Sequence, residues 1–414
     1  MIIVVVNLLK IVSFIMPSRI FLFFILLSPL IAVVAPRFLA FWPLIIGVYA
    51  YIHMFFYDKS RLKEFFDVKY LAVILSISFL IILSSLWSVD SMYAFERSLG
   101  VFVILLSGFM VWNASKFIFV GNRNVKILCD YYPIMMMVML FISYLNIEFG
   151  LPIYKILNSI DLLQEVNMSK FNRSGIALLI LSIPAFMVCW YQKKYILFLL
   201  LLTGMFLVSM VTESQSVQLA FIVSILVFIL PIGYAFLRNS MALSVILLMI
   251  FSPFIMIWMF ANLPELLLEY NFFQQSYAGH RLEIWSFVSH YIMINPLYGF
   301  GIEGTRLVES FDTQQLYFDG NNVLHPHNLA LQVWMEFGLV GILFASALII
   351  AFFKSIRGHI KIIMRFELIM FFALVAISAT AYGIWQSWWV GLIILSIAIF
   401  RIFSEFIELD SRDN

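Results

Sequence analysis

Long apolar runs separated by short polar connections set the pattern of this chain. A run of about 20 apolar residues is long enough to cross a bilayer as a helix. Twelve such runs can be placed, at 19–35, 38–56, 69–87, 98–119, 128–146, 174–192, 195–212, 216–237, 241–260, 328–353, 367–385 and 387–403. The pattern predicts an all-α polytopic membrane protein, one integral membrane domain over residues 1–414. The segment 261–327 breaks the rhythm. It is too polar to span and too apolar for a plain linker. Within it ELLLEYNFF and HRLEIWSFVSHYI read as helices lying at or dipping into the interface, followed by a Pro/Gly turn, NPLYGFGIEG. Loops beyond about 12–15 residues tend to be functional or disordered, and the aromatic content here favours function. The N-terminal MIIVVVNLLKIVSFIMPSR lacks a small-residue cleavage site. It reads as an interfacial lead-in or part of the first span.

Composition agrees with this reading. Hydrophobic residues make up 64% of the chain and charged residues 12%, which excludes an ordinary soluble domain. Cys129 and Cys189 both fall inside apolar runs, which excludes a disulfide framework and a thiolate metal site. A net charge of +2 gives no footprint for nucleic acid, and no nucleic-acid partner is expected. The cations instead orient the chain. With both termini in the cytoplasm, 18 of the 25 lysines and arginines fall on that side. Arg37, Arg97, Lys155, Lys170, Arg173, Arg281 and Arg306 fall on the other. Such asymmetry fits an even number of spans.

The candidate chemistry gathers on the outer side. In Asn321–Gly341 a polar loop with two histidines runs into an apolar helix. His327 and Asn328 stand where that helix begins. Gln332 and Glu336 follow Asn328 at i+4 and i+8 and share its face. Gly338 and Gly341 make a small-x-x-small step. His327 can act as a base near neutral pH, or simply hydrogen-bond a loop. His325 and His327 form a His-x-His pair. To hold zinc it would need a third ligand, for which Glu303, Asp312 and Asp319 are available. Pro326 pushes His325 into an extended conformation, which favours a loop-shaping role. Arg281 and Trp285, four apart, share a helix face. A guanidinium there suits phosphate oxygens or anchors the helix at the interface. Arg173 in KFNRSG and Arg97 beside Glu96 each read as a phosphate ligand or a stop charge. Thr212–Ser216 and Ser84–Asp90 are polar junctions whose hydroxyls or carboxylate can cap helices. WQSWW at Trp385–Trp389 reads as an aromatic belt or a sugar-stacking surface. A secondary transporter would place its polar groups near the midplane, on broken helices in repeated halves. This chain places them at one mouth.

These residues resemble the O-antigen ligase and polymerase superfamily of bacterial membrane glycosyltransferases. The family pattern His-Asn, nine residues, Gly-x-x-Gly is met by His327, Asn328, Gly338 and Gly341. An arginine and tryptophan before a Pro-x-x-Gly-x-Gly turn are met by Arg281, Trp285, Pro296, Gly299 and Gly301. The Ser-x-x-Trp-Ser segment is similar at Ser84 or Ser85 to Ser88, and the Asn-Arg pair at Asn172 and Arg173. The resemblance spans about residues 70–345 and departs at one junction. There the family often has Ser-Arg, and this chain has Ser214-Gln215.

The resemblance implies a helical membrane fold of the lipid-carrier glycosyltransferase (GT-C-like) type in the bacterial inner membrane, with its site facing the periplasm. It implies transfer of a glycan from undecaprenyl diphosphate to a hydroxyl of lipid A–core oligosaccharide. No cofactor and no metal are expected. Carried over, His327 is the base and Arg281 a diphosphate ligand. Arg173, with Arg97, supplies the charge missing at Gln215, whose amide can still donate a hydrogen bond. His325, Asn328 and Trp285 join the substrate-binding set. Polymerase and protein O-glycan ligase activities of the same superfamily are the nearest alternatives, and a lipid or polysaccharide transporter is the alternative of a different class.

Overall fold

A computed structural model describes residues 19–57, 67–115, 122–262, 277–308 and 323–413. The N-terminal lead-in, ELLLEYNFF, Asp312, Asp319 and the cations Lys59, Arg61, Lys63 and Lys116 lie outside these residues. No strand occurs among the described residues. The helices are α1 Arg19–Val34, α2 Trp42–Tyr57, α3 Val68–Ser84, α4 Ser91–Ala114, α5 Asn122–Glu148, the short α6 Pro152–Leu157, α7 Asn172–Tyr191, α8 Tyr195–Val211, α9 Gln215–Ile229, α10 Ala235–Asn262, α11 Tyr277–Ile294, the single turn α12 Gly304–Leu307, α13 Leu329–Ser355, α14 Lys361–Ser378 and α15 Ser387–Asp413. Each of the twelve apolar runs is thus occupied by a helix. By length and composition, 7 helices among the described residues are long and apolar enough to cross a membrane, and the chain is a polytopic membrane protein.

Several boundaries differ from the sequence reading, three of them at polar junctions. The run at 216–237 ends as helix at Ile229, because Pro231 and Gly233 make a turn before α10. The span expected from 98 starts at Ser91. Asp90 caps it by accepting a 3.0 Å bond from Tyr93 N–H. The span expected to reach 385 stops at Ser378, and residues 379–386 form a loop instead.

Helix α7 is the axis of the bundle. Every residue from Ser174 to Cys189 is buried, as a helix apolar on all sides requires. Around it one apolar cluster gathers α1, α2, α5, α8, α9, α14 and α15. A second joins α10, α11 and α13, with Ile284, Val288 and Ile292 of α11 buried at i, i+4 and i+8. Arg173 stands one residue before the fully buried stretch, at the end of the bundle where α13 begins.

That end is fastened by a break in α13. Gly338 has φ 59° and ψ −150°, a region open only to glycine. The break frees carbonyls of the preceding turn, and the Pro296–Gly301 turn takes them. Phe300 N–H donates to Met335 O at 2.8 Å and Gly301 N–H to Glu336 O at 2.9 Å, while Leu339 N–H donates to Pro296 O at 2.8 Å. A Cβ on Gly338 would stand 2.4 Å from the Leu297 carbonyl carbon, and one on Gly299 2.6 Å from Glu336 backbone. Gly338 and Gly341 are therefore no helix-packing step. The two glycine motifs are halves of one lock. Ser84–Ser88 is its third part: Ile302 N–H donates to Ser84 Oγ at 3.2 Å, and Trp87 Nε1 donates to the Tyr298 carbonyl at 3.0 Å.

Candidate active site

The site is built on the start of α13 and the loop 379–386. Asn328 is the N-cap of α13. Its side-chain oxygen accepts from Ala330 N–H at 3.0 Å and Leu331 N–H at 3.2 Å. His327, one residue earlier, has φ 52°. Left-handed backbone at a non-glycine residue costs about 1–3 kcal/mol and is tolerated where the surroundings impose it. Here they do. Trp285 Nε1 donates to the Pro326 carbonyl at 2.7 Å, between the two histidines, and His327 Nδ1 is bonded to the Ala381 carbonyl. A carbonyl only accepts, so Nδ1 carries the proton. Nε2 is then the bare nitrogen, with its lone pair free to take a proton.

The electrostatics favour a neutral ring. Burial, and then the Arg281 charge, push the His327 pKa below its ordinary value. His325 is pushed down to about 3, first by burial, then by His327 and Arg306. The two rings lie 4.2 Å apart, and His325 Nε2 is buried with no hydrogen-bond partner. Arg281 reaches this pair from the first turns of α11, and Trp285, one turn on, fixes its helix against the histidine loop.

Tyr382 connects the second arginine. Burial raises its pKa, and the charges of Arg173 and Arg281 lower it. The Arg173 guanidinium stands 5.9 Å from the Tyr382 ring centre and 6.0 Å from that of Trp388. Its Nε is buried and has no hydrogen-bond partner. Beneath the histidines, the Gln332 amide donates to Glu336 Oε1 at 2.8 Å and its oxygen accepts from Ile384 N–H at 3.0 Å. Trp385 Nε1 donates to the other oxygen of Glu336. Glu336 thereby ties α13 to the loop that carries Ala381 and Tyr382.

The structure brings His325, His327, Arg281, Trp285 and Arg173 to one place. Arg97 is already paired. Arg97 pairs with the buried Glu303 at 2.8 Å, and Arg306 lies 3.3 Å from the other oxygen of Glu303 without hydrogen-bond geometry. Gln215 stands exposed at the first position of α9. Its neighbour Ser216, and not Gln215, joins the site loop, accepting from Thr380 Oγ1 at 3.0 Å. Trp388 and Trp389 of WQSWW are buried, so no aromatic belt forms there. Among the described residues no group of three His, Cys, Asp or Glu side chains is placed to hold a metal ion. Tyr382 escaped the sequence reading because 367–385 was taken as span. Thr380, Gly383 and Gln386 were the polar and glycine signals of a break.

Comparison with known proteins points the same way. A family model described as O-antigen ligase matches residues 200–346, which hold Gln215, Arg281, Trp285, both histidines, Asn328 and both glycine motifs. A Rickettsia conorii protein named "Putative polysaccharide ligase" is 25% identical over 320 residues, covering 75% of this chain and 74% of that one. A Rickettsia felis protein of the same name is 25% identical over 323 residues, 75% and 74% of the two chains. A Rickettsia prowazekii relative is 32% identical over a shorter stretch of 134 residues, 31% of this chain and 33% of its own. With the histidine, the arginine and the glycine lock of that pattern assembled at one end of a helical membrane bundle, the chain is similar to the O-antigen ligase family over residues 200–346 and to proteins named polysaccharide ligases over three quarters of its length.

Proposed function

We propose that the protein transfers a glycan from undecaprenyl diphosphate to a hydroxyl of lipid A–core oligosaccharide, at the periplasmic face of the bacterial inner membrane. The observation that carries this reading is a neutral His327, Nε2 free, within the field of Arg281 and joined through Tyr382 to Arg173. The acceptor oxygen attacks the anomeric carbon, and its proton passes to His327 Nε2. The bond from that carbon to the diphosphate oxygen breaks, with inversion, and undecaprenyl diphosphate departs. Arg281 and Arg173 meet the charge that grows on the leaving group. Preorganised cations in a partly dry site can supply that stabilisation without a metal. Arg97, held by Glu303, positions the Gly301–Glu303 turn. The segment 261–327 forms part of the site, and the 414 residues act as one membrane domain.

Reconstitution with undecaprenyl-diphosphate glycan and purified lipid A–core tests this. Product on lipid A–core is expected, and it is lost in His327→Gln while membrane insertion stays normal. Lengthened carrier-linked glycan would instead identify a polymerase, and full transfer by His327→Gln would sink the base assignment. Transfer abolished by EDTA and restored by a divalent ion would overturn the metal-independent mechanism.

A further inference from the structure

Beside the histidine site lies a cavity of about 410 Å³, within the range of small-ligand pockets. Arg37, Lys170 and Arg173 line it, and among the described residues no aspartate or glutamate does. Arg173 presents its faces to Tyr382 and Trp388, which leaves its N–H edge to find an acceptor, and its buried Nε has none. Close behind the wall, Lys155 is buried, with Nζ on the Leu162 carbonyl at 2.9 Å. Its neighbours Tyr154, Leu157 and Asn158 line the cavity. Arg37 and Lys170 stand exposed at the rim, where water solvates them, but the buried Nε of Arg173 is costly to leave without an acceptor, and an anion would complete it. The cations also raise the local concentration of anions.

The cavity is separate from the proton-transfer site. Its lining includes Tyr382 but none of His325, His327, Arg281 and Trp285. Tyr382 and Arg173 are therefore a shared wall. The leaving diphosphate belongs on the side of Arg281, and the outer rim of Arg37 and Lys170 has no part in that step. Asn158, Ser169 and Tyr154 add neutral groups of the kind that bond sugar hydroxyls. We propose that this cavity is a second, anion-selective subsite, taking a phosphate or carboxylate carried on a sugar of one of the two glycan substrates. That the ligand is a glycan rests on the transferase reading above.

The test uses the purified full chain and three probes: glucose 6-phosphate, glucuronate and glucose. Trp388, whose ring centre is 4.9 Å from that of Tyr382, reports by fluorescence. The two acidic sugars are expected to bind saturably and glucose not. Loss of charge-assisted bonds in the R37A/K170A double variant should weaken acidic-sugar binding by about tenfold or more. The charge-keeping R37K/K170R variant should restore it. His327→Gln should bind as the wild type does, so a failed base assignment leaves this result standing. Glucose binding as well as the acidic sugars, or a double variant that binds them unchanged, would overturn the subsite. In reconstituted transfer the acid is then removed from donor or acceptor in turn. The KM difference between wild type and double variant should vanish for whichever substrate carried it. A difference that survives both removals, or is absent from the start, would overturn its role in substrate selection.

Discussion

The two ends of this bundle treat their cations differently. At the end away from the site several carry partners. Lys194 pairs with Asp130 at 2.6 Å and Arg401 with Glu405 at 2.7 Å, the latter guanidinium also lying 3.9 Å from the Trp112 ring centre. Arg365 donates to the Phe228 and Leu230 carbonyls. His359 sits 2.8 Å from Glu367. At the site end Arg281, Arg173, Lys170 and Arg37 show no carboxylate partner among the described residues; Arg97 and Arg306, both beside Glu303, are the exceptions. The histidines divide in the same way. Glu367 pushes the His359 pKa up, and burial with Arg281 pushes that of His327 down. Paired cations are spent on holding helices together. Cations without an acid beside them are free to meet an anion, which is what the proposed transfer asks of them.

The largest expected effect separates the two histidines. His327→Gln removes the base and should lower the rate of transfer by about 10²–10⁴-fold, the usual contribution of general base catalysis. His359→Gln should leave the rate within about twofold, since it touches no reacting atom. Equal losses in the two variants would erase the contrast between the ends. Gly338→Ala comes next, and strikes the lock rather than the chemistry. Its Cβ would meet the Leu297 carbonyl in a backbone region that alanine avoids. Destabilisation of about 3 kcal/mol or more is expected, read as a lower Tm or faster proteolysis of the purified protein. Gly358→Ala, where a Cβ meets nothing within 4 Å, is the matched control at the other end.

Much of this was legible in the chain and some was not. Apolar runs marked where the long helices lie, because the backbone groups of such a run must be satisfied within it; the count of twelve spans is a different matter, since 7 helices among the described residues are long and apolar enough to cross. The histidine, Arg281 and Trp285 could be brought together because their spacing repeats a known pattern. The glycines were visible, but their meaning was not. Only coordinates show that Gly338 opens α13 so that Phe300 and Gly301 can bond Met335 and Glu336. Tyr382 was hidden for a different reason. Helical periodicity runs through weakly polar residues, so 379–385 looked continuous with the span before it. The Arg97–Glu303 pair joins residues some two hundred positions apart, which no local pattern could show.

The pH profile sharpens the comparison further. A base must be neutral to work. With its pKa lowered by burial and Arg281, His327 should keep kcat/KM flat through neutrality and lose it only below the ordinary histidine value. An acid limb at or above pH 6.5 would mean that Arg281 and burial do not act on the ring that takes the proton. Arg281→Lys preserves the charge and should leave the limb in place. Arg281→Gln removes it and should move the limb upward, apart from any loss of rate.

The smallest effect belongs to His359, and its sign is opposite. Its folded pKa is raised, chiefly by the hydrogen bond to Glu367. The folded chain therefore holds a proton that the unfolded chain releases near pH 6.5. Stability from this pair is complete below that pH and drains away as pH rises through the higher folded value. The ring is about a third exposed, so solvent screens the pair and the change should be slight. His325 and His327 act in the other direction, adding stability as pH rises through about 6.5, where the unfolded rings lose protons that the folded ones do not hold. The His359 contribution is therefore read as the difference in Tm between the wild type and His359→Gln, which should shrink slightly from pH 6 to pH 8, and Glu367→Gln should remove it. The same shrinking difference should persist when both proteins carry His327→Gln. A difference that disappears on that background would tie the titration to the wrong end of the bundle.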